Sequence, residues 1–172
     1  PASPGEAAPR RTALFTPANV RAFCFSTGLH EPLMRRAVAD TARLARSRWP
    51  VVVTGLSFCR ARKPRALLHF IERQKIPFIS TLHAKGFLPE SHRLWAGVLG
   101  RARRSDVQAF IRRADLIVAV GFDPIEINYE EWAGKTPIVH LSSETAETNP
   151  GLDFAVNAAA DLDDVIAALN TV

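Results

Sequence analysis

The residues that most suggest chemistry lie in one polar segment near the middle of the chain, residues 80–97. Thr81, Lys85 and His92 are spaced there among glycine and proline, in a stretch too polar for a buried strand and too interrupted for a helix. His83 and His92 could orient a phosphate, because their ring N–H groups donate hydrogen bonds to anionic oxygens, and Lys85 could attract an anion by its charge. The two histidines could instead cap backbone groups, and this structural role is the favoured interpretation.

Other reactive side chains form no recognisable catalytic pattern. No G-x-S-x-G turn of an α/β-hydrolase is present, and the five histidines lack the spacing of metal ligands. His69 is expected at the surface of a helix. Glu126, Glu130 and Glu131 could bind a cation, but a solvated helical turn is favoured. Cys59, which is followed by Arg60 and Arg62 in sequence, could have a lowered pKa, which alone is weak support for a nucleophile. We therefore assign no catalytic or metal-ligating residue.

The composition indicates a single globular domain. The chain has 172 residues, of which 47% are hydrophobic and 23% charged. No run approaches the roughly 20 apolar residues of a membrane span, so no membrane association is expected. The net charge is +5, with basic clusters at 60–65 and 101–104. Nucleic-acid binding is not expected, because aromatic residues do not interleave with the basic ones and no nucleic-acid motif is present.

The two cysteines and the N-terminal segment bear on where the chain resides. Cys24 and Cys59 make neither a disulfide framework nor a zinc site, which favours a reducing, cytoplasmic setting. Residues 1–30 are interpreted as a linker and extension without a signal-peptide pattern. The chain starts with Pro1 rather than Met, which suggests a piece of a longer protein or a processed chain.

From residue 31 the sequence alternates between helical and strand patterns. Apolar residues recur at helical spacing, and short β-branched runs follow each helix. Pro64 marks one helix start, Ser105 with Gln108 forms a capping box, and Asp161 caps the last helix. The predicted helices cover 31–45, 64–75, 105–114 and 161–169, and the predicted strands cover 51–55, 77–80, 115–121, 137–142 and 154–158.

Strands that are apolar on both faces and alternate with helices predict an α/β fold. We expect a doubly wound, mostly parallel, Rossmann-like sheet of six strands, one more than the five placed above, forming a single domain over residues 31–172. In such sheets ligands bind beyond the carboxyl ends of the strands. The loops expected there are 55–63, 80–103, 121–136 and 142–152. Ordinary NAD binding is not expected, because Gly55 stands alone where a dinucleotide fingerprint has three glycines.

The polar segment also resembles a segment of a known enzyme family. TLHAKGFLPESHRLWAGVLG resembles the T-x-x-x-K-G-x-x-P-E-x-H-x-L-x-x-G-x-x-G segment in the central domain of thiamine-diphosphate-dependent enzymes of the acetolactate synthase and pyruvate oxidase group. RWPVVVTG resembles the first strand of that domain, and IRRADLIVAVGFDPIE resembles its A-D-L strand. The D-P-x-E run at 123–126 is most similar to the catabolic acetolactate synthase branch. The resemblance spans about residues 31–170.

The resemblance implies a fragment that is not catalytic alone. In the family, other domains carry the activating glutamate and the G-D-G motif that holds Mg²⁺ and thiamine diphosphate, and no GDG occurs in this chain. The expected partners are those missing N- and C-terminal domains, in a homo-oligomer whose parent enzyme condenses 2-oxo acids such as pyruvate with decarboxylation. The alternative is a free-standing module that binds FAD or another adenine nucleotide.

The resemblance also implies positions where some family members hold FAD or ADP. Carried over to this sequence, these cofactor-binding positions are Gly55, Leu56, Ser57, Thr81, Lys85, Gly86, Gly97, Gly100, Gly121, Phe122, Asp123, Ser142, Ser143 and Glu144. The sequence departs from the family pattern in having Ser142 for an acidic residue after the fifth strand, Ala160–Asp161 for a G-D pair, and Gly55 alone in the first turn. A largely structural central domain is therefore favoured over a flavin-binding one.

Overall fold

The computed structural model of the chain describes residues 47–100, 104–127, 132–146 and 151–170. The predicted linker at 1–30 and the predicted helix at 31–45 lie outside these ranges. The strands are β1 Pro50–Thr54, β2 Phe78–Thr81, β3 Trp95–Leu99, β4 Leu116–Val120, β5 Ile138–Ser142 and β6 Phe154–Ala159. The α-helices are α1 Pro64–Gln74, α2 Arg104–Ile111 and α3 Leu162–Leu169, and 3-10 helices cover Leu56–Arg60 and Pro124–Ile127.

The six strands form one sheet in the order β3-β2-β1-β4-β5-β6, and every neighbouring pair is parallel. β1 and β4 lie at the centre, where the strand order reverses direction. Every residue of β1 and β4 is buried, as expected for strands covered on both faces. The predicted doubly wound α/β fold is confirmed, and the ends of β1 and β4 mark the position where such sheets bind ligands.

Two apolar clusters cover the two faces of the sheet. On one face, Val52 packs in a cluster with Leu67 and Phe70 of α1 and Val165 of α3. On the other face, Val51 and Val53 pack in a cluster that includes Ile111 of α2 and Trp132. Alternate residues of β1 thus enter opposite clusters, which explains why Val51, Val52 and Val53 are all apolar. Within the described residues, no helix is long and apolar enough to cross a membrane.

Two of the three predicted helix starts are confirmed. Pro64 lies in the first turn of α1, and the Asp161 carboxylate accepts hydrogen bonds from the backbone N–H groups of Asp163 and Asp164 at the start of α3. The predicted capping box is wrong in its register. α2 begins at Arg104, so Ser105 lies inside the first turn rather than at its cap.

The predicted loop at 80–103 is wrong for residues 95–99, which form β3. β3 is an edge strand that pairs only with β2 in the described sheet, and most of its residues are half-buried. An edge strand does not need the continuous apolar run of a central strand, so WAGVL gives a weak signal. Gly97 faces α2, where an added Cβ would lie 2.9 Å from Val107 Cγ2.

The segment that enters β1 is held to the start of β4 by one carboxylate. Asp115 accepts hydrogen bonds from the Ser47 hydroxyl at 2.6 Å and from the backbone N–H groups of Arg48 at 2.7 Å and Trp49 at 3.0 Å. Burial would raise the pKa of Asp115, but these hydrogen bonds outweigh it and hold that pKa below the ordinary value. The ionised form of Asp115 therefore stabilises the fold.

The end of α3 is tied to α1 through Asn170. Its amide nitrogen donates to the carbonyl oxygens of Ala66 and Ile166, both at 2.9 Å, and its amide oxygen lies 3.1 Å from His69 Nδ1. Arg73 of α1 donates to the Asn170 carbonyl oxygen at 2.8 Å. These contacts join two helices about a hundred residues apart in sequence. His69 is exposed, as the sequence predicted.

Candidate functional site

The carboxyl ends of β1, β2 and β4 meet around the side chain of Glu126. This side chain is only 3% exposed, although it belongs to a short 3-10 helix on the rim of the sheet. Its Oε1 accepts hydrogen bonds from the backbone N–H groups of Leu56 at 2.6 Å and Asp123 at 3.1 Å. The interpretation of Glu126 as part of a solvated turn is therefore wrong. Glu130 and Glu131 lie outside the described residues.

The second oxygen of Glu126 is bound from the end of β2. The Thr81 hydroxyl donates to Oε2 at 2.6 Å, and His83 Nδ1 lies 3.3 Å from the same atom. The backbone N–H of Ala84 donates to the Thr81 oxygen at 3.3 Å, so the hydroxyl proton is free to point at the carboxylate. Glu126 thus joins the loops that follow three neighbouring strands, and all of its described partners can act as donors.

Two predicted site glycines, Gly55 and Gly121, are in close contact with the chain itself. A Cβ added to Gly55 would lie 2.6 Å from Glu126 Oε1 and 2.8 Å from the Gly121 carbonyl oxygen. Gly121 has φ +60°, and a Cβ there would lie 2.7 Å from Phe58 Cα. Because both residues lack a side chain, neighbouring backbone atoms and the Glu126 carboxylate occupy the space beside them. The turn after β1 therefore does not fit the diphosphate of FAD or ADP.

Beside Glu126, five of the fourteen predicted positions line a cleft of about 200 Å³. They are Ser57, Phe122, Asp123, Ser142 and Glu144. Apart from His140, its polar side chains are carboxylates, which accept hydrogen bonds and repel anions, and hydroxyls, which both donate and accept. The cleft is suited to a neutral group that carries hydroxyls rather than to a phosphate.

The cleft also contains His140, which is 1% exposed and was not assigned a site role from the sequence. Its Nε2 lies 2.7 Å from the Phe122 carbonyl oxygen, an obligate acceptor, so this nitrogen carries a proton. Its Nδ1 lies 2.9 Å from the amide oxygen of Asn157, whose side chain bonds both backbone groups of Ala146. His140 thereby fixes the loop after β4 relative to β6.

The remaining predicted positions are spread around the rim rather than gathered at one ligand position. Thr81 binds Glu126 and Leu56 donates to it, whereas Ser143 is exposed outside the residues that line the cleft. Lys85 Nζ lies 3.5 Å from Glu90. Added Cβ atoms at Gly86 and Gly100 would meet nothing within 4 Å, and Gly97 lies in β3. Nucleotide binding by the full set of fourteen stays a prediction.

Two further candidates from the sequence are His92 and Cys59, and the contacts of both favour structural roles. His92 Nδ1 accepts from the backbone N–H of Leu94 at 3.2 Å, and its Nε2 lies 3.0 Å from Glu72 Oε1, which is the favoured capping role. The expectation of a lowered pKa for Cys59 is wrong. Burial and then the negative charge of Glu126 raise the pKa of the Cys59 thiol, which disfavours the nucleophilic thiolate.

Sequence reasoning missed that Glu126 is the centre of the rim. The available signal was its place in the D-P-I-E run, six residues after Val120, the last residue of a fully buried strand. A charged residue so close to the ligand-binding edge of a parallel sheet is a candidate for a site role. In the described part of the chain, no group of three or more His, Cys, Asp or Glu could hold a metal ion.

Comparison with known proteins identifies the family of the chain. The family model of the thiamine pyrophosphate enzyme central domain matches residues 38–169. The chain belongs to this family. A solved X-ray structure from Mycobacterium smegmatis, described as a thiamin diphosphate-dependent enzyme, superposes with a TM-score of 0.59 at 22% identity, covering 76% of this chain and 26% of that one. This likeness supports the fold.

The curated relatives include acetolactate synthases. The enzyme of Mycobacterium avium is 29% identical over 138 residues, which cover 78% of this chain and 22% of that protein. The acetolactate synthase isozyme 1 large subunit of Escherichia coli is 31% identical over 123 residues, 70% of this chain and 22% of that subunit. The chain thus spans about a fifth of the length of these relatives. The alternative of a free-standing FAD-binding module is not favoured.

Proposed function

We propose that the chain is the central domain of an enzyme that resembles acetolactate synthase. The enzyme would decarboxylate a 2-oxo acid such as pyruvate and join the product to a second 2-oxo acid. The observation that carries the proposal is the family match over residues 38–169 together with relatives named acetolactate synthase. Thiamine diphosphate supplies the carbanion chemistry when bound, and it and Mg²⁺ would be held by domains outside this chain.

The role of this chain in such an enzyme would be structural. Its buried carboxylate, Glu126, already has donors on both oxygens, so it is not available as a general base. The thiol of Cys59 has a raised pKa and is a poor nucleophile. We therefore propose that the sheet positions neighbouring domains and subunits while the chemistry occurs elsewhere. A homo-oligomer and a reducing cytoplasmic compartment belong to the same proposal.

The test compares the longer polypeptide that carries this domain with the 172-residue chain. Each is incubated with thiamine diphosphate, Mg²⁺ and pyruvate, and acetolactate and CO₂ are measured. We expect the longer polypeptide to form both products and the 172-residue chain to form neither. The proposal fails if the longer polypeptide consumes no pyruvate or other 2-oxo acid, or if the 172-residue chain turns over alone.

A second, narrower candidate is binding of an adenosine group in the cleft beside Glu126. The observation that favours it is that Asp123, Ser142 and Glu144 line one small cavity with hydrogen-bond acceptors, which match the hydroxyls of a ribose. Calorimetric titration with adenosine and ADP tests it. Equal heats for both ligands, lost in Glu144→Ala, would support a site that binds the sugar. The absence of heat from either ligand at high micromolar concentration would exclude it.

A further inference from the structure

We infer that the ends of β1, β2 and β4 form an oxyanion-binding site whose resident anion is the carboxylate of Glu126. The same site should bind an external carboxylate the size of formate once that side chain is removed. This inference goes beyond the proposed function, because it concerns what this rim can bind and does not depend on the reaction of any longer enzyme.

The site has the donors that anions require. Two backbone N–H groups, of Leu56 and Asp123, point at Oε1, and a hydroxyl and an imidazole, of Thr81 and His83, face Oε2. Backbone N–H groups that converge from neighbouring loops are a recurrent way to hold oxyanions. These donors lie at or after the ends of three neighbouring parallel strands, and the pairing of those strands holds them near one another.

The shape of the site also points to a resident anion rather than an accidental contact. Gly55 leaves the space that Oε1 occupies, since a Cβ at that position would lie 2.6 Å from this oxygen. The side chain of Glu126 is 3% exposed, so water does not replace its partners. An ionised carboxylate can only accept hydrogen bonds, and the four groups around this one can all donate. Phosphate is excluded from the turn after β1 because a charge of the same sign is already there.

The experiment removes the resident anion and supplies another. Glu126→Ala is compared with the wild-type chain and with a control, Glu90→Ala. Glu90 is a half-buried carboxylate whose ion pair in the described residues is with Lys85. Unfolding temperature is measured by circular dichroism in sodium formate and in sodium chloride of equal ionic strength. Loss of the buried hydrogen bonds should lower the unfolding temperature of Glu126→Ala by roughly 5 to 10 °C in chloride.

Formate should restore part of this loss in Glu126→Ala alone. At ten times its dissociation constant, formate would raise the unfolding temperature of that variant by about 3 to 6 °C. The inference is overturned if formate and chloride act alike on Glu126→Ala, or if formate stabilises all three proteins equally.

A second variant keeps the test decisive if Glu126→Ala does not fold. Glu126→Gln retains the shape of the side chain and removes its charge. Because that charge raises the pKa of Cys59, the variant should shift the pH midpoint of Cys59 alkylation to lower pH, measured in a Cys24→Ser background. An unchanged midpoint would mean that Glu126 is not held as an anion, and it would overturn the inference whatever the activity of the longer enzyme.

Discussion

Replacement of Gly121 by alanine tests how tightly the turns after β1 and β4 are packed. The carbonyl oxygen of Gly121 accepts hydrogen bonds from the backbone N–H groups of Ser57 at 2.9 Å and Phe58 at 3.3 Å. Gly121 itself has φ +60°, and a Cβ there would meet the backbone of Phe58, a residue with no exposed surface. Neither partner can move aside cheaply, because both belong to hydrogen-bonded turns.

The expected cost of Gly121→Ala has two parts. A left-handed conformation costs a non-glycine residue about 1 to 2 kcal/mol. Overpacking of a filled site costs about 1 to 3 kcal/mol more. The sum is about 2 to 5 kcal/mol, which for a domain of this size lowers the unfolding temperature by roughly 5 to 20 °C.

Two other glycines provide matched controls. Gly86 also has positive φ, +86°, but an added Cβ would meet nothing within 4 Å, so Gly86→Ala should cost only the conformational part of about 1 to 2 kcal/mol. Gly100 has neither a positive φ nor an atom within 4 Å of an added Cβ, so Gly100→Ala should be neutral or stabilise the fold by up to about 1 kcal/mol. Urea unfolding followed by circular dichroism gives the three free energies. If Gly121→Ala is no more costly than Gly86→Ala, the argument from the Phe58 contact is refuted.

Three further predictions concern the carboxylates and the amide that fix the ends of elements. Asp115 has a lowered pKa in the folded state, so its ionised form contributes fully to stability above the unfolded-state pKa of about 4. That contribution is lost as pH falls through the folded-state pKa. The difference in free energy of unfolding between wild type and Asp115→Asn, measured with urea, should therefore stay constant above about pH 4 and shrink below it. Asp161→Ala should cost about 1 kcal/mol by loss of the α3 cap, measured by thermal unfolding, and Asp164→Ala, which removes no cap, should cost less. Asn170→Ala removes the side-chain hydrogen bonds to the carbonyl oxygens of Ala66 and Ile166 and should cost about 1 to 3 kcal/mol in the same assay. A cost below about 0.5 kcal/mol would mean that water replaces the amide.

The central strands can be predicted from the sequence because their burial on both faces determines their own residue types. β1 and β4 are buried on both faces, so Val51–Val53 and Leu116–Val120 appear as continuous apolar runs that no loop or amphipathic helix would show. The strand predictions agree with the observed bounds to within one residue. β3 was missed because an edge strand is only half covered, and because Gly97 at its centre weakens the strand pattern.

The site was less predictable because its character depends on residues far apart in sequence. The partners that bury Glu126 include Leu56 and Thr81, which lie 70 and 45 residues away. In sequence, Glu126 is a charged residue in a short turn, and such residues are usually solvated. The surroundings of Cys59 were misjudged for the same reason, since its pKa responds to burial and to Glu126 rather than to the arginines beside it in sequence.

The packing of α1 against α3 joins parts of the chain that are synthesised at different times. Leu67 and Phe70 of α1 leave the ribosome about a hundred residues before Val165 and Leu169 of α3, which share their apolar cluster. Until α3 emerges, a nascent chain presents part of that cluster to solvent, a condition that favours aggregation and chaperone binding. A premature stop after β6 would therefore leave a polypeptide that has all six strands and yet is a substrate for quality control.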